Sequence, residues 1–274
     1  MSADELFLDE PFRVLWAGQD PFAAVEALQG RVYRELEARR TLRTEVAGRG
    51  YFVKIHRGVG WGEIAKNLLT LRAPVLGAGN EYRAIRRLEE AGVDTMRAVA
   101  YGARGGNPAT QHSFIVTEEL APTVSLEDFC RDWPTSPPPA RLKRALLDRV
   151  ATMARRMHGA GVNHRDFYIC HFLLHLDPAP VAENFKLSLI DLHRAQIRAK
   201  TPRRWRDKDL AALYFSALGI GLTQRDWLRF LRVYFDRPLR DILREEAGLI
   251  EHLNREAARL QRRYQKKFAP KAAA

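Results

Sequence analysis

His164-Arg165-Asp166 follows a long amphipathic stretch and precedes a short apolar one, and 25 residues later Ile190-Asp191-Leu192 ends another apolar piece with an acid. Two carboxylates at the ends of adjacent strands suit phosphoryl transfer. Asp166 can orient an attacking hydroxyl and accept its proton, with His164 and Arg165 flanking it in the catalytic segment, while Asp191 can hold the magnesium ion that bridges nucleotide phosphates. Lys54 is a charge embedded in the apolar strand Tyr51-Phe52-Val53-Lys54-Ile55, and Glu81 opens a segment with helical spacing. A lysine aimed at the α/β-phosphates must be held out of solution, and a helix glutamate is its usual partner. Glu89 and Glu90, on the same helix, are the alternatives to Glu81. Singly these signals are weak, because His-Arg-Asp arises by chance and a strand lysine often only snorkels at an edge. Their order and the elements that carry them point to a kinase site using ATP and Mg2+.

Those residues require two kinds of scaffold. Leu42, Thr44 and Val46 alternate with Arg43 and Glu45, Ala47-Gly48-Arg49-Gly50 offers a turn, and Tyr51 to Ile55 resumes, so Thr41 to His56 reads as a β-hairpin. A helix carries Glu81, Ile85 and Leu88 and closes at Gly92. Met96 to Tyr101 and Ser113 to Thr117 read as two more strands. After Glu118-Glu119-Leu120, prolines 122, 134 and 137–139 lead into a mostly helical half. There Arg141 to Ala160 bears the stripe Leu142, Leu146, Val150, Met153 and Met157 and stops at Gly161, short strands fall at 172–174 and 187–190, and helices start near Asp207, Thr223 and Pro238. Thr223-Gln224-Arg225-Asp226 resembles a capping box with Asp in the Glu position. The fold class is therefore α+β: a bilobal, protein-kinase-like arrangement with an antiparallel β-rich lobe at 1–120 and a helical lobe at 121–274. The junction lies near Glu118 to Pro122. Backbone groups from Glu118 to Leu120 are candidates to grip adenine.

Composition narrows the class further. Of 274 residues, 46% are hydrophobic and 28% charged, which suits a folded chain rather than a disordered one. The formal charge of +12 calls for an anionic partner without naming it. Cys130 and Cys170 are too few for a disulfide framework and form no Cys-x-x-Cys pair, in keeping with a reducing compartment. No signal peptide is apparent at the start, and the run from Leu210 to Leu222 is far short of the ~20 residues that span a bilayer. The expectation is a cytoplasmic protein.

The chain also resembles a known family, the lipopolysaccharide core heptose(I) kinases (WaaP or RfaP). Asp20-Pro21-Phe22, Arg34-Glu35-Leu36-Glu37, Arg39-Arg40-Thr41-Leu42-Arg43 and Tyr51-Phe52-Val53-Lys54 look like its amino-terminal signatures. Asn163-His164-Arg165-Asp166-Phe167-Tyr168-Ile169-Cys170-His171-Phe172-Leu173-Leu174-His175 resembles its catalytic segment. Ile190-Asp191-Leu192-His193-Arg194-Ala195-Gln196 and Arg203-Arg204-Trp205-Arg206-Asp207-Lys208-Asp209-Leu210 resemble its metal-binding and following motifs. The resemblance implies transfer of phosphate from ATP, with magnesium, to the first inner-core heptose of lipopolysaccharide. It assigns Asp166 as base, Lys54 as phosphate ligand and Asp191 as metal ligand. It further implies a lipopolysaccharide inner-core substrate, association with acyl carrier protein, and peripheral attachment to the anionic inner membrane.

Departures from the general protein-kinase pattern are clear. No Gly-x-Gly-x-x-Gly precedes Lys54, which leaves any covering of the phosphates to the Gly48 and Gly50 turn. The position five after Asp166, usually Asn and a second metal ligand, is His171. Asp-Leu-His at Asp191 replaces Asp-Phe-Gly. His164, Cys170, His171 and His175 crowd together in a way that invites zinc, although no closed four-ligand set has a usual structural spacing. Asp209 reads either as catalytic or as a buried acid bracing the catalytic loop, with bracing favoured. The basic runs at Ile64 to Arg72 and at Arg259, Arg262, Arg263, Lys266 and Lys267 read as solvated helix faces or as lipid-docking surfaces. Kinases of the same fold acting on another small molecule or on protein are the nearest rivals. A non-catalytic nucleic-acid-binding module is the more distant one. Aromatics are not interleaved with the basic runs as base stacking would require, so no nucleic-acid partner is expected.

Overall fold

Val53 and Ile55 point to one side of their strand while Lys54 and His56 point to the other, and this alternation organises the first half of the chain. The computed structural model describes residues 4–58, 60–69 and 77–268. Six strands, β1 (Glu5–Leu8), β2 (Arg31–Leu36), β3 (Arg39–Val46), β4 (Arg49–Arg57), β5 (Ala98–Arg104) and β6 (His112–Glu118), form one antiparallel sheet in the order β1-β5-β6-β4-β3-β2. The predicted hairpin is β3–β4, slightly longer at both ends. It turns on Ala47 and Gly48, whose φ values are 50° and 74°. Two residues at positive φ make a two-residue loop of the I′ kind, whose twist matches the flanking strands.

One face of this sheet carries Leu42, Val53, Ile55, Phe114 and Val116. Helices α1 (Phe12–Leu15) and α2 (Pro21–Ala27) cover it with Phe12, Phe22 and Val25, and Trp16 follows α1. Burying each such side chain contributes about 1.5–3 kcal/mol. The Asp20 carboxylate accepts the Phe22 N–H at 3.4 Å, and Pro21 occupies the first helical position, so α2 starts where its sequence prescribes. On the opposite face, after α3 (Gly60–Leu69), α4 (Gly79–Glu90) stacks Tyr82 on Tyr101 with ring centroids 4.2 Å apart. Leu71 and Arg72 of the predicted basic stretch lie outside the described residues.

The second half is helical around small sheets. Strand β7 (Thr123–Ser125) leads into α5 (Leu126–Phe129) and α6 (Ala140–Gly159), and then come β8 (Val162–Asn163), β9 (Phe172–His175), β10 (Leu187–Leu189) and β11 (Gln196–Ile197). The strands pair as β10-β9-β7 and β11-β8, all antiparallel. Helices α7 (Arg203–Ser216), α8 (Gln224–Phe235), α9 (Leu239–Glu245) and α10 (Ala247–Phe268) complete the chain. The predicted stripe on α6 is buried at Leu146, Val150, Met153 and Met157. Gly161, at φ 80°, ends it where a Cβ would stand 1.9 Å from the Arg198 carbonyl oxygen, so only glycine fits. Thr223 and Asp226 form the predicted capping box of α8. Helix α7 begins at Arg203, earlier than Asp207, because Pro202 sets the boundary and the first turn is charged rather than apolar. The final helical stretch is broken at Glu246, whose carboxylate takes Arg203 and Arg206 at 3.0 and 3.1 Å. The side chains of Arg263, Lys266 and Lys267 lie outside the described residues.

Contacts divide the chain into one unit of residues 1–87, 95–120 and 191–195 and another of residues 88–94, 121–190 and 196–274. Among the described residues no helix is long and apolar enough to cross a membrane.

Candidate active site

In the first unit, the face of β4 turned away from the apolar core presents Lys54. Its Nζ donates to Glu81 Oε1 at 2.7 Å, with the Glu81 side chain 2% exposed and that of Lys54 17%. The structure thus gives Lys54 the glutamate at the start of α4, while Glu89 and Glu90 occupy exposed positions further along. A buried pair of this kind is costly to break, because the surviving charge is left without a counter-ion.

Asn80, beside Glu81, was not singled out from sequence. Its Nδ2 donates to the carbonyls of His193 at 3.0 Å and Ala195 at 2.6 Å. Those bonds fix the loop that opens with Asp191, a left-handed residue at φ 64° and ψ 51° whose Oδ1 lies 2.5 Å from His193 Nδ1. Arg39, opposite His56 in the β3–β4 ladder, lies in the same electrostatic neighbourhood. Burial lowers its pKa, Arg34 adds to the lowering, and the carboxylates of Glu81 and Asp191 work the other way. His56 is pushed down to about 3, first by burial and then by Arg39 and Lys54, so it is neutral at physiological pH.

Register corrects one expectation. Lys54 pairs with Thr41, whereas the Ala47-Gly48 turn closes the other end of the hairpin beyond Glu45↔Gly50. At roughly 3.3 Å per residue that turn is about 20 Å from Lys54. The link nearest Lys54 is Glu37-Ala38, between β2 and β3. Gly50 instead leaves room for a side chain, since a Cβ there would meet Glu119 Oε2 at 1.8 Å and displace that carboxylate. That carboxylate receives Arg43 through both Nε and the terminal nitrogen at 2.7–2.9 Å. The Glu118 N–H donates to Arg97 O at 2.9 Å, its carboxylate pairs with Arg97 at 3.0 Å, and Leu120 ends this stretch of the unit.

In the second unit, His164-Arg165-Asp166 follows β8. Asp209, 1% exposed on α7, accepts the His164 N–H at 2.6 Å and the Arg165 N–H at 2.9 Å. It thereby braces the loop through its main chain and holds Arg165 at φ 74°. Asp209 also lies 3.3 Å from His158 Nε2, and His158 Nδ1 lies 2.8 Å from the Tyr234 hydroxyl, a buried chain of polar groups not anticipated from sequence. His164 Nε2 donates to Ile190 O at 2.9 Å, which leaves Nδ1 to accept the Asp166 N–H at 3.3 Å. The Asp166 carbonyl accepts from Tyr168 N–H at 2.9 Å and from His171 Nδ1 at 2.6 Å. Asp166 is therefore fixed on both sides by its backbone.

The donor chemistry distinguishes the two metal candidates. Asp191 offers hard carboxylate oxygen, which suits magnesium. His171 offers nitrogen, a poor magnesium ligand, and commits Nδ1 to Asp166. His175 turns to Ser188 Oγ at 2.9 Å, and among the described residues no three His, Cys, Asp or Glu side chains form a group able to hold a metal ion.

Residues 23–234 match the lipopolysaccharide kinase (Kdo/WaaP) family. The chain belongs to that family. It is 71% identical over 261 residues to the lipopolysaccharide core heptose(I) kinase WaaP of Pseudomonas aeruginosa, covering 95% of this chain and 97% of that protein. The corresponding kinase of Escherichia coli K12 is 58% identical over 260 residues, covering 95% and 98%. A solved structure, WaaP in complex with acyl carrier protein, superposes with a TM-score of 0.84 at 66% identity over 93% of this chain and 99% of that one. Membership in the Kdo/WaaP family makes the protein a kinase and matches the mixed architecture of an antiparallel first unit and a helical second.

Proposed function

We propose that this chain transfers the γ-phosphate of ATP to the first inner-core heptose of bacterial lipopolysaccharide. The observation that carries the acceptor is its 71% identity, over nearly its whole length, to a heptose(I) kinase. In this reading residues 1–120 hold the nucleotide and residues 121–274 the acceptor. Lys54, held by Glu81, neutralises phosphate oxygens, and backbone groups between Glu118 and Leu120 grip adenine. Asp191 holds magnesium, which when bound neutralises charge on the β- and γ-phosphates. Asp166 orients the heptose hydroxyl and takes its proton. His164 and Arg165 shape its loop, and His171 braces the Asp166 carbonyl rather than binding the metal.

The partners follow from charge and from the relatives. An acidic acyl carrier protein suits a chain of net charge +12, and the solved relative carries one. Use of ATP as the donor supports a cytoplasmic enzyme. The basic face of α10, at Arg259 and Arg262, supports docking to the anionic inner membrane, where each Lys or Arg near the surface contributes about 1 kcal/mol.

The test is transfer from γ-labelled ATP to dephosphorylated lipopolysaccharide core by wild type, Asp166→Ala and Asp191→Ala. Label on heptose with wild type alone supports the reading, with loss of the base costing roughly 10²- to 10⁴-fold. ATP hydrolysis without sugar labelling would redirect the search to another acceptor. Tight nucleic-acid binding with no ATP turnover would overturn the kinase reading.

A further inference from the structure

Among the described residues, five buried side-chain nitrogen or oxygen atoms lack a hydrogen-bond partner, and two of them, Arg39 Nε and Thr41 Oγ1, are two residues apart on β3. Residues at that spacing share one face of a strand. Their cross-strand partners are His56 and Lys54, so this is the face that presents the Lys54–Glu81 pair. A buried polar atom without a partner costs free energy comparable to a lost hydrogen bond, and native proteins seldom leave one so. Two on the same face, beside an ion-paired lysine, mark a place where a ligand completes the bonding.

The chemistry of that ligand is legible. Arg39 offers only donors, in a planar fork that matches phosphate oxygens. Thr41 adds a hydroxyl donor. Glu81 is already neutralised by Lys54 at 2.7 Å, and His56 brings no charge to offset an anion. The group best suited to this face is an anion with several acceptor oxygens. We infer that Arg39 and Thr41 are phosphate ligands of the nucleotide, holding the polyphosphate alongside Lys54. This inference rests on the ATP reading above and extends it to residues on the strand opposite Lys54.

Calorimetric binding of magnesium–ATP and of adenosine, by wild type, Arg39→Met, Arg39→Lys and Thr41→Val, tests it. Loss of a charge-assisted phosphate contact should weaken ATP binding by roughly 10- to 100-fold in Arg39→Met. Thr41→Val should lose about 3- to 10-fold, and adenosine should bind all four proteins equally. Arg39→Lys should recover part of the loss, since an ammonium restores charge without the fork. In the absence of nucleotide, Arg39→Met and Thr41→Val should melt at or above the wild-type temperature, because each removes an orphaned buried polar atom. A purely structural role would instead lower that temperature and weaken adenosine and ATP together, which would overturn the inference. Unchanged ATP affinity in Arg39→Met and Thr41→Val would overturn it as well, leaving the ATP reading intact. Failure of wild type itself to bind magnesium–ATP would remove both.

Discussion

Replacing Asp209 separates bracing from chemistry. Its carboxylate accepts two main-chain N–H groups, a buried one from His164 at 2.6 Å and a partly buried one from Arg165 at 2.9 Å. Asp209→Ala orphans both donors, each costing about 1–3 kcal/mol, for a sum of about 2–6 kcal/mol. Against a total stability of about 5–15 kcal/mol, that is a large fraction. At about 2–4 °C per kcal/mol for a chain of this size class, the melting temperature should fall by about 5–20 °C. Asp209→Asn keeps one oxygen but sets an amide N–H₂ against a donor, so it should lose roughly half as much. The released loop also frees Arg165 from φ 74°, and a misplacement of about 1 Å at Asp166 costs on the order of 10²-fold in rate. Thermal melts followed by circular dichroism, with steady-state kinetics in ATP and acceptor, should show kcat falling in the order Ala below Asn below wild type. The KM for ATP should stay unchanged, since Lys54 and Glu81 belong to the other unit. Asp209→Ala melting within about 2 °C of wild type would refute the bracing argument. Were that stable variant also inactive, Asp209 would act on the reacting groups instead.

Three further outcomes follow from local structure. The depressed pKa of His56 means that the unfolded chain takes up a proton below about 6.5 while the native one resists until about 3. Its contribution is therefore complete above pH 6.5 and shrinks as pH falls, by about 2 kcal/mol between pH 6.5 and 5, so chemical-denaturation curves for His56→Gln should be flatter with pH over that interval. Gly50→Ala should displace Glu119 from Arg43 and cost about 1 kcal/mol, and in a double-mutant cycle it should add nothing on top of Glu119→Ala. Ala47→Asn should stabilise the protein by about 0.5–1 kcal/mol in urea melts, because φ 50° in a two-residue hairpin loop favours Asn followed by Gly, and it should leave turnover unchanged.

The sequence disclosed groups whose character clashes with their surroundings. Lys54 stands out as a charge in an apolar strand, Thr223 and Asp226 as a cap, and the stripe on α6 as a 3.6-residue period. It was mute where no face is buried. Strand β2 is exposed at all six positions, so no alternation marks it, and α7 opens with a charged turn that hides its start at Arg203. Long-range bonds were hidden as well. Nothing local in Gly79-Asn80 predicts bonds to carbonyls 113 and 115 residues away, whereas the spacing of Gly48 and Lys54 along one strand already sets that turn far from the lysine.

These long-range bonds share a design that explains how this chain dispenses with a glycine two residues after Asp191, where it carries His193. Each of the two loops holds a non-glycine residue in left-handed backbone, Arg165 at φ 74° in one unit and Asp191 at φ 64° in the other. Such a residue costs about 1–3 kcal/mol and persists only where its surroundings over-determine it. In both loops the determination comes from a polar side chain on a helix that bonds main-chain groups: Asp209 takes two N–H donors, and Asn80 gives to two carbonyls. Two such bonds, at about 1 kcal/mol for neutral partners and more for a charged one, match the backbone strain. Asp191-Leu192-His193 therefore needs no glycine to reach its geometry, and its loop is held by contacts that a flipping loop would have to break. Asp166 is fixed through its own backbone, and Asp191 through the carbonyls that follow it in its loop.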